Sequence, residues 1–274
     1  MNSETPLANR VVVVTGGSRG IGREIALTLA LGGARIVVAA RTDSQELKDT
    51  ISTISLACGE GRVHSVVADV RSREDCDHVL SVAMKTFGQV DVLFNNAGLH
   101  ASAHVRDGQT YYPSFWEGDP DEWNAICDTN IRGAFLMTRA AVPHMAGRRF
   151  GKIVNISTNR HTMIRRGGSA YGASKAFLET ASRIWAEELE ESGVTVNVLL
   201  PGGPIDTGFH ADPSLASKYL PVSVMRGPCI WLASDLSNGH TGQRFVARMW
   251  DEQLPLVQRV SRAREDGIEK PMIM

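Results

Sequence analysis

The stretch VVVVTGGSRGIG at residues 11–22 decides the fold. Its four valines predict a buried strand, because β-branched side chains fit a pleated surface that is covered on both faces. Glycines follow at once, and apolar residues then return with helical spacing at Ile21, Ile25 and Leu29. The stretch therefore predicts a strand, a glycine-rich turn and a helix in immediate succession.

The same alternation continues along the chain and predicts the fold class. Further strands are predicted at residues 34–40, 63–67, 90–94, 152–156 and 194–200. Further helices are predicted at residues 43–57, 73–87, 119–145 and 171–191. Strands that are almost continuously apolar are typical of a parallel sheet with helices on both faces. We predict one doubly wound α/β domain of the Rossmann type over residues 1–274, with about seven strands, because no repeat or charged linker divides the chain.

Composition and charge exclude several classes of protein. The 274 residues are 43% hydrophobic and carry 29 basic against 30 acidic side chains, so no overall field favours nucleic acid or an anionic membrane. No segment approaches the roughly 18 apolar residues that a membrane span needs. Cysteines at 58, 76, 127 and 229 lack metal or redox spacing, as do the histidines. We expect a cytoplasmic protein without a metal, whose partner is a small molecule rather than nucleic acid or membrane.

The glycine turn predicts a dinucleotide site. A helix N-terminus offers N–H groups and partial positive charge, and residues without a Cβ let a pyrophosphate approach them. The spacing is G-x-x-x-G-x-G and no G-K-[ST] follows, which disfavours a nucleoside triphosphate P-loop. Glycines that only form a tight turn are the alternative.

The end of the second predicted strand bears on which dinucleotide is bound. An NAD site places Asp or Glu about 20 residues beyond the glycines, whereas an NADP site replaces the acid and supplies arginine. Here Ala40 is the 18th residue after Gly22 and Arg41 follows, while Arg19 lies in the turn itself. Two guanidinium groups favour NADP(H), and NAD(H) stays the alternative if Arg41 is only a solvated strand end.

Several motifs in the order of the chain resemble the single-domain branch of the short-chain dehydrogenase/reductase family. The resemblance covers nearly the whole chain. Its parts are a TGxxxGIG turn at 15–22, Asp69-Val70 after the third strand, NNAG at 95–98, Asn130, a YxxxK motif at 171–175 and Pro201-Gly202. Each part is weakly specific, but their joint order is very specific.

The resemblance implies an NAD(P)-dependent dehydrogenase or reductase acting on CH–OH groups. Hydride would pass between NADP(H) and a carbonyl or secondary alcohol. It also implies a homotetramer or homodimer, with the Tyr171 helix and the helix over 119–145 at one interface. The cofactor-binding residues implied are Gly16, Ser18, Arg19, Gly20, Ile21, Gly22, Arg41, Asp69, Val70, Asn96, Ala97, Gly98, Tyr171, Lys175, Pro201, Gly202, Ile205 and Thr207.

Tyr171 and Lys175 are the candidate acid/base pair. They lie four residues apart on a predicted helix and therefore share a face. A free phenol has a pKa near 10, and we expect the neighbouring ammonium to lower it towards the range of a general acid/base. The resemblance implies that Lys175 also holds the nicotinamide ribose and that Asn130 binds a water of the proton relay.

The third catalytic group is either Thr158 or Ser157. The family's catalytic serine lies thirteen residues before the tyrosine, which here is the position of Thr158, and Ser157 precedes it. Successive strand residues point to opposite faces, so only one hydroxyl is expected to reach the substrate oxygen. We favour Thr158, with Ser157 as its substitute.

Segments 99–118, 159–168 and 208–227 are predicted to wall the substrate. Arg160, Arg165 and Arg166 in the second segment would attract an anionic or polyoxygenated substrate, unless they only form a solvated loop. After Thr241-Gly242-Gln243, residues 244–251 lack the family's usual glycine pair, so we expect the C-terminal edge to pack differently.

Other functions stay open at this point. An NAD(H)-dependent dehydrogenase of sugars, polyols or sugar acids would use the same scaffold. A catalytically weak nucleotide-binding regulator would keep the glycine turn without needing the Tyr/Lys pair. An epimerase or dehydratase of the extended branch needs a larger substrate domain than this chain offers.

Overall fold

Strands rich in valine and isoleucine lie at the centre of the protein, and helices flank them. The computed structural model describes residues 5–100, 104–106, 109–206 and 219–267. Its strands are β1 (Val11–Thr15), β2 (Arg35–Ala40), β3 (Val63–Val67), β4 (Val92–Asn95), β5 (His104–Arg106), β6 (Gln109–Tyr111), β7 (Gly151–Ile156), β8 (Val194–Leu200), β9 (Ile205–Asp206), β10 (Leu220–Pro221), β11 (Arg244–Val246) and β12 (Arg264–Glu265). Its α-helices are α1 (Gly20–Leu31), α2 (Gln45–Cys58), α3 (Arg73–Phe87), α4 (Pro120–Cys127), α5 (Ala134–Gly147), α6 (Arg160–Met163), α7 (Ser169–Glu188), α8 (Arg226–Ala233) and α9 (Leu256–Ala263).

The main sheet is doubly wound, as predicted. Within the described residues, eight strands follow the order β12-β11-β8-β7-β4-β1-β2-β3. All pair in parallel except the short edge strand β12, which is antiparallel to β11. From β1 the chain winds outward through β2 and β3, then returns to β4 on the other side of β1. In such sheets ligands bind at this reversal, outside the carboxyl ends of the strands.

Both faces of the sheet are buried, which explains why its strands lack an alternating polar pattern. Val12 and Val14 of β1 pack into one core cluster with α1, α2 and α8, while Val13 packs into a second cluster with α3 and α5. Successive strand side chains point to opposite faces, so a strand covered on both sides is mostly apolar.

The helix predicted over 119–145 is in fact interrupted. Asp119 caps α4 by accepting from the Asp121 N–H at 2.9 Å, and α4 ends at Cys127. A π-helical turn then spans Asp128–Gly133 before α5 begins. Gly133 lies against the Val70 side chain, where an added Cβ would sit 2.6 Å from Cγ2. The interruption places Asn130 in a widened turn, a feature often found at functional sites.

Two of the predicted substrate walls are only partly described. The segment 99–118 contains, among its described residues, an antiparallel pairing of β5 and β6. In the segment 208–227, β10 pairs in parallel with β9, which lies just before the segment. Thr207 and residues 208–218 lie outside the described residues.

Candidate active site

The glycine turn joins the carboxyl end of β1 to the first turn of α1. Gly16 and Gly20 have φ of +63° and +55°, a left-handed conformation that side chains disfavour. A Cβ on Gly16 would also lie 2.8 Å from the Ala97 Cα, and one on Gly22 would collide with the Gly16 carbonyl. The turn therefore packs against the NNAG segment and against itself only because these positions are glycine.

Polar contacts fix this turn against the end of β4. Asn96 Nδ2 donates to the carbonyls of Thr15 and Gly16 at 2.9 and 3.0 Å. The Thr15 hydroxyl accepts from the N–H groups of Asn96 and Ala97 at 3.1 and 3.0 Å. On the other side, Thr50 of α2 donates to the Ser18 carbonyl at 2.8 Å. Two segments predicted separately are thus one rigid unit.

A cleft of about 1020 Å³ opens beside this unit. The predicted cofactor-binding residues that line it are Gly16, Ser18, Arg19, Gly20, Ile21, Gly22, Arg41, Asp69, Val70, Asn96, Ala97 and Gly98. Sequence reasoning missed several polar lining residues, namely Thr42, Ser44, Glu46, His100 and Thr129. Thr42, Ser44 and Glu46 follow Arg41 so closely that their place in the loop after β2 was the available signal.

Positive charge is present at one end of the cleft. The pKa of Asp69 is lowered chiefly by its hydrogen bonds from Arg71, whose Nη2 lies 2.6 Å from Oδ2, and further by the charge of Arg41. The pKa of Glu46 is lowered first by a hydrogen bond from Ser44, with Arg19 adding to the effect. Arg41 and Arg19 therefore both act on carboxylates that line the cleft.

Lys175 lies beneath the cleft on α7. Its Nζ donates to the Ile156 carbonyl at 2.8 Å and lies 5.8 Å from the centroid of the Tyr171 ring. Gly98 of the NNAG segment is close by, since a Cβ there would be 3.5 Å from Nζ. Burial lowers the pKa of Lys175 to about 8, although the charge of Glu179 opposes that fall.

The pKa of Tyr171 is raised in this structure and not lowered by Lys175 as expected. Burial raises the pKa of the Tyr171 phenol, because the phenolate loses its solvation. A hydrogen bond with Thr158 and the charge of Arg165 oppose the rise, whereas Lys175 does not contribute. Its ammonium is directed to the Ile156 carbonyl and lies beside the ring, so the predicted lowering by Lys175 is wrong here.

The two neighbouring hydroxyls at the end of β7 have different partners. Ser157 is buried and donates to Glu179 Oε1 at 2.8 Å. Thr158, by contrast, lies beside the Tyr171 phenol and opposes the rise in its pKa. The structure thus brings Thr158 to the candidate acid/base and Ser157 to a buried carboxylate.

Asn130 joins two parts of the site through its side-chain amide. Its Oδ1 accepts from the Leu99 N–H at 2.8 Å, and its Nδ2 donates to the Leu99 carbonyl and to Ser174 Oγ, both at 2.9 Å. Ser174 in turn donates to the Tyr171 carbonyl at 2.7 Å. The amide therefore ties the start of segment 99–118 to the helix that carries Tyr171.

With this geometry in place, a family model described as short chain dehydrogenase matches residues 10–215. The chain belongs to the short-chain dehydrogenase/reductase family. A short-chain type dehydrogenase/reductase of Picea abies is 36% identical over 216 residues, 77% of this chain and 76% of that protein. An uncharacterised oxidoreductase of Staphylococcus aureus is 31% identical over 222 residues, 80% of this chain and 89% of its own.

A solved structure agrees with this assignment. That of a short-chain type dehydrogenase/reductase from Mycobacterium marinum superposes with a TM-score of 0.77 at 27% identity, covering 90% of this chain and 97% of that one. As a member of the family, the protein is an oxidoreductase with an NAD(P)-binding Rossmann fold that acts on small molecules.

Other predicted residues of this short-chain dehydrogenase/reductase lie beyond the large cleft's lining. Pro201 and Gly202 follow β8, and the Pro201 carbonyl accepts from the Arg248 N–H at 3.0 Å. Ile205 pairs with Leu220. The described residues contain no group of three His, Cys, Asp or Glu side chains placed to hold a metal, and no helix long and apolar enough to cross a membrane.

The substrate walls of this family member meet on the Tyr171 side. Arg165 stacks over the Tyr112 ring, with its guanidinium carbon 4.8 Å from the centroid. Gly167, at φ +76°, packs so closely on Tyr112 that a Cβ there would clash. Arg160 instead donates to the Asp266 carbonyl, so it does not join Arg165 at Tyr112.

Proposed function

We propose that this protein transfers hydride between NADP(H) and a carbonyl or secondary alcohol, with Tyr171 as the general acid/base. One observation carries the proposal: the hydroxyls of Thr158 and Tyr171 meet at the carboxyl end of β7, with the Lys175 ammonium beside them and the glycine-turn cleft adjoining. A nucleotide-binding regulator would not need this arrangement, which therefore favours an enzyme.

The residues present fit a nicotinamide dinucleotide. The turn over 16–22 places N–H groups of a helix start at the cleft, and its glycines leave no side chain in the way of a pyrophosphate. When bound, the cofactor supplies or accepts the hydride. The turn and NNAG residues would hold its phosphates, and Lys175 would hold its nicotinamide ribose.

Proton transfer is the work of the chain's own residues. Tyr171 Oη gives its proton to the substrate oxygen in carbonyl reduction and takes one in alcohol oxidation. Because burial raises its pKa, the phenol is protonated at neutral pH and ready to donate. Thr158 orients the substrate oxygen by a hydrogen bond. The Asn130 amide nitrogen already donates both of its hydrogens and Oδ1 already accepts one bond, so a relay water would bind Asn130 as a donor to one of its oxygens.

The experiment follows NADPH absorbance against a panel of ketones, aldehydes, sugars and sugar acids. The wild-type protein is expected to turn over at least one member of the panel. Tyr171→Phe keeps the ring and removes the proton, so kcat should fall by about 10²-fold or more with NADPH binding retained. Turnover by Tyr171→Phe at the wild-type rate would overturn the assignment.

Arg19 and Arg41 support NADP(H) as the preferred cofactor. Both line the cleft, Arg19 from the glycine turn and Arg41 directly after β2, at the position where an NAD site would place an acid. Arg41→Asp should shift the ratio of kcat/KM values towards NADH. A wild-type enzyme that uses NADH as efficiently as NADPH would instead support the NAD(H)-dependent dehydrogenase.

We also propose that the substrate carries an anionic group, which one observation favours. The charge of Arg165 acts on Tyr171, so a carboxylate or phosphate near the reacting carbon would meet it. Arg165→Ala should raise KM for carboxylate substrates and not for neutral ones. An equal effect on both would leave Arg165 as a packing partner of Tyr112 alone.

We further propose a homodimer or homotetramer joined through α5 and α7. Large apolar side chains are exposed on these helices, with Phe135 and Phe177 46% and Ile184 50% accessible. They border a depression of about 420 Å³ that also involves Trp185. A second copy of the chain would cover this surface. Phe177→Asp should lower the mass measured by light scattering, and an unchanged mass would place the interface elsewhere.

A further inference from the structure

A buried ion pair stands behind the reacting groups and is not explained by them. Arg244 at the start of β11 and Glu179 on α7 have side chains only 2% and 8% exposed. Arg244 Nε donates to both carboxylate oxygens of Glu179, at 3.0 and 3.1 Å. Removing two charges from water is costly and is offset only where the remaining polar atoms are also satisfied. The other hydrogen-bond partners of Arg244 and Glu179 therefore show which part of the structure the ion pair keeps in place.

Those partners are Ser157 and Thr158, which directly follow β7. Glu179 Oε1 accepts from the Ser157 hydroxyl at 2.8 Å. Arg244 Nη2 donates to the Thr158 carbonyl at 2.9 Å. The pair thus fixes the backbone of the residue whose hydroxyl contacts Tyr171. A second ion pair, between Arg244 and Glu265 of β12, anchors the arginine from behind.

Glu179 also acts on the charge of Lys175. It lies one helical turn beyond Lys175 on the same face of α7, and its negative charge opposes the fall in the lysine pKa that burial causes. The other ionisable groups around this site are Tyr171 on α7, Arg165 before it, Arg244 on β11 and Glu265 on β12. Asn130, from the π-helical turn, is uncharged.

We propose that Glu179 and Arg244 are positioning residues for the reaction: Arg244 holds the Thr158 backbone in register with Tyr171, and Glu179 keeps the Lys175 ammonium charged. This inference rests on the proposed function. It separates two roles, one geometric and one electrostatic, that a merely structural ion pair would not have.

The electrostatic role is tested by Glu179→Gln. Glutamine keeps an acceptor for Ser157 and Arg244 but removes the charge. The pKa of Lys175 should then fall further. Because the charged ammonium is the group proposed to hold the nicotinamide ribose, the alkaline limb of the pH profile of kcat should move by about one pH unit to lower pH.

The geometric role is tested by Arg244→Lys. A lysine keeps the charge but cannot reach both Glu179 and the Thr158 carbonyl. The kcat should fall by about 10- to 100-fold, because the Thr158 hydroxyl is displaced, while KM for NADPH and the alkaline limb stay near the wild-type values.

The matched control is Glu187→Gln. It removes a carboxylate from the same helix, in an exposed pair with Arg183 far from the site, and should leave kcat and the pH profile unchanged. If both test variants behave like this control, the inference is wrong. Circular dichroism checks that Arg244→Lys folds. If it does not, the double variant Glu179→Gln/Arg244→Gln removes both charges of the pair, so neither is left buried without its partner. An alkaline limb of kcat at the wild-type pH in this double variant would then contradict the inference.

Tyr171→Phe in the same assay separates this inference from the proposed function. If Tyr171→Phe is as active as the wild type, the proposed function fails. If Tyr171→Phe is inactive while the Glu179 and Arg244 variants match Glu187→Gln, the positioning role alone is wrong. Loss of kcat in Arg244→Lys together with the shifted limb in Glu179→Gln supports it.

Discussion

Two buried lysines lie at opposite ends of β7, and in both cases burial lowers the pKa to about 8. Lys152 is the second residue of the strand, and its Nζ donates to Ser237 Oγ at 3.0 Å and Asn238 Oδ1 at 2.8 Å. Lys175 comes from α7 and donates to the carbonyl of Ile156, the last residue of the strand. Their titration alone does not distinguish them.

Their surroundings do distinguish them. Lys175 stands beside a phenol and below the cofactor cleft, whereas Lys152 lies near Phe150 and is influenced by Asp235 and Arg10. A strongly shifted pKa is therefore not by itself the mark of a catalytic residue. The end of the sheet matters as well, because the carboxyl ends of parallel strands face the ligand crevice and the amino ends do not.

The largest expected effect separates the two lysines by activity. Lys175→Met should lower kcat by about 10²-fold or more, because the ammonium proposed to hold the nicotinamide ribose next to Tyr171 is lost. Lys152→Met, an identical change at the other end of the strand, should leave kcat within about threefold of the wild type. Steady-state NADPH oxidation measures both. Equal losses in the two variants would mean that Lys175 acts only through the fold.

A second, smaller contrast is expected between the two hydroxyls at the carboxyl end of β7. Thr158→Val removes the hydroxyl beside Tyr171 and should lower kcat by about 10²-fold. Ser157→Ala removes one donor to Glu179, which retains Arg244, so the loss should stay under about tenfold. The opposite ranking of the two kcat values would make Ser157 the group that orients the substrate.

The sequence predicts the cofactor cleft well and the buried ion pair behind Tyr171 poorly. The glycine turn, Asn96 and Arg41 follow strand ends directly, so local spacing is enough to place them around one cleft. Their mutual position was foreseeable because parallel strands bring their carboxyl ends to one edge.

The ion pair of Glu179 and Arg244 had no such signal. The two residues lie 65 positions apart on a helix and a short strand, and nothing in the pattern shows that their charges are buried together. The π-helical turn was missed for a different reason. Residues 119–145 have apolar residues at helical spacing on both sides of Gly133, and the close contact of Gly133 with Val70 at the end of the turn is a tertiary contact that the pattern does not show.

The smallest expected effect concerns the pH dependence of the free energy of unfolding, to which both lysines should contribute in the same direction. Both have a folded pKa of about 8 against an ordinary value of 10.5. Between pH 8 and 10 the unfolded chain therefore binds more protons at these positions than the folded protein. Each lysine accordingly makes the free energy of unfolding rise with pH, by at most about 1.4 kcal/mol per pH unit.

Buried thiols act in the opposite sense over the same range. Burial raises the pKa of Cys76 to about 12, so the unfolded thiol loses its proton first and stability falls as pH rises. The useful quantity is thus a difference between slopes. Urea unfolding at pH 8, 9 and 10 should show a shallower rise, or a steeper fall, in Lys152→Met and Lys175→Met than in the wild type. If only one variant changes the slope, the lysines differ in desolvation as well as in function, because a lysine that keeps its ordinary pKa on folding contributes no slope.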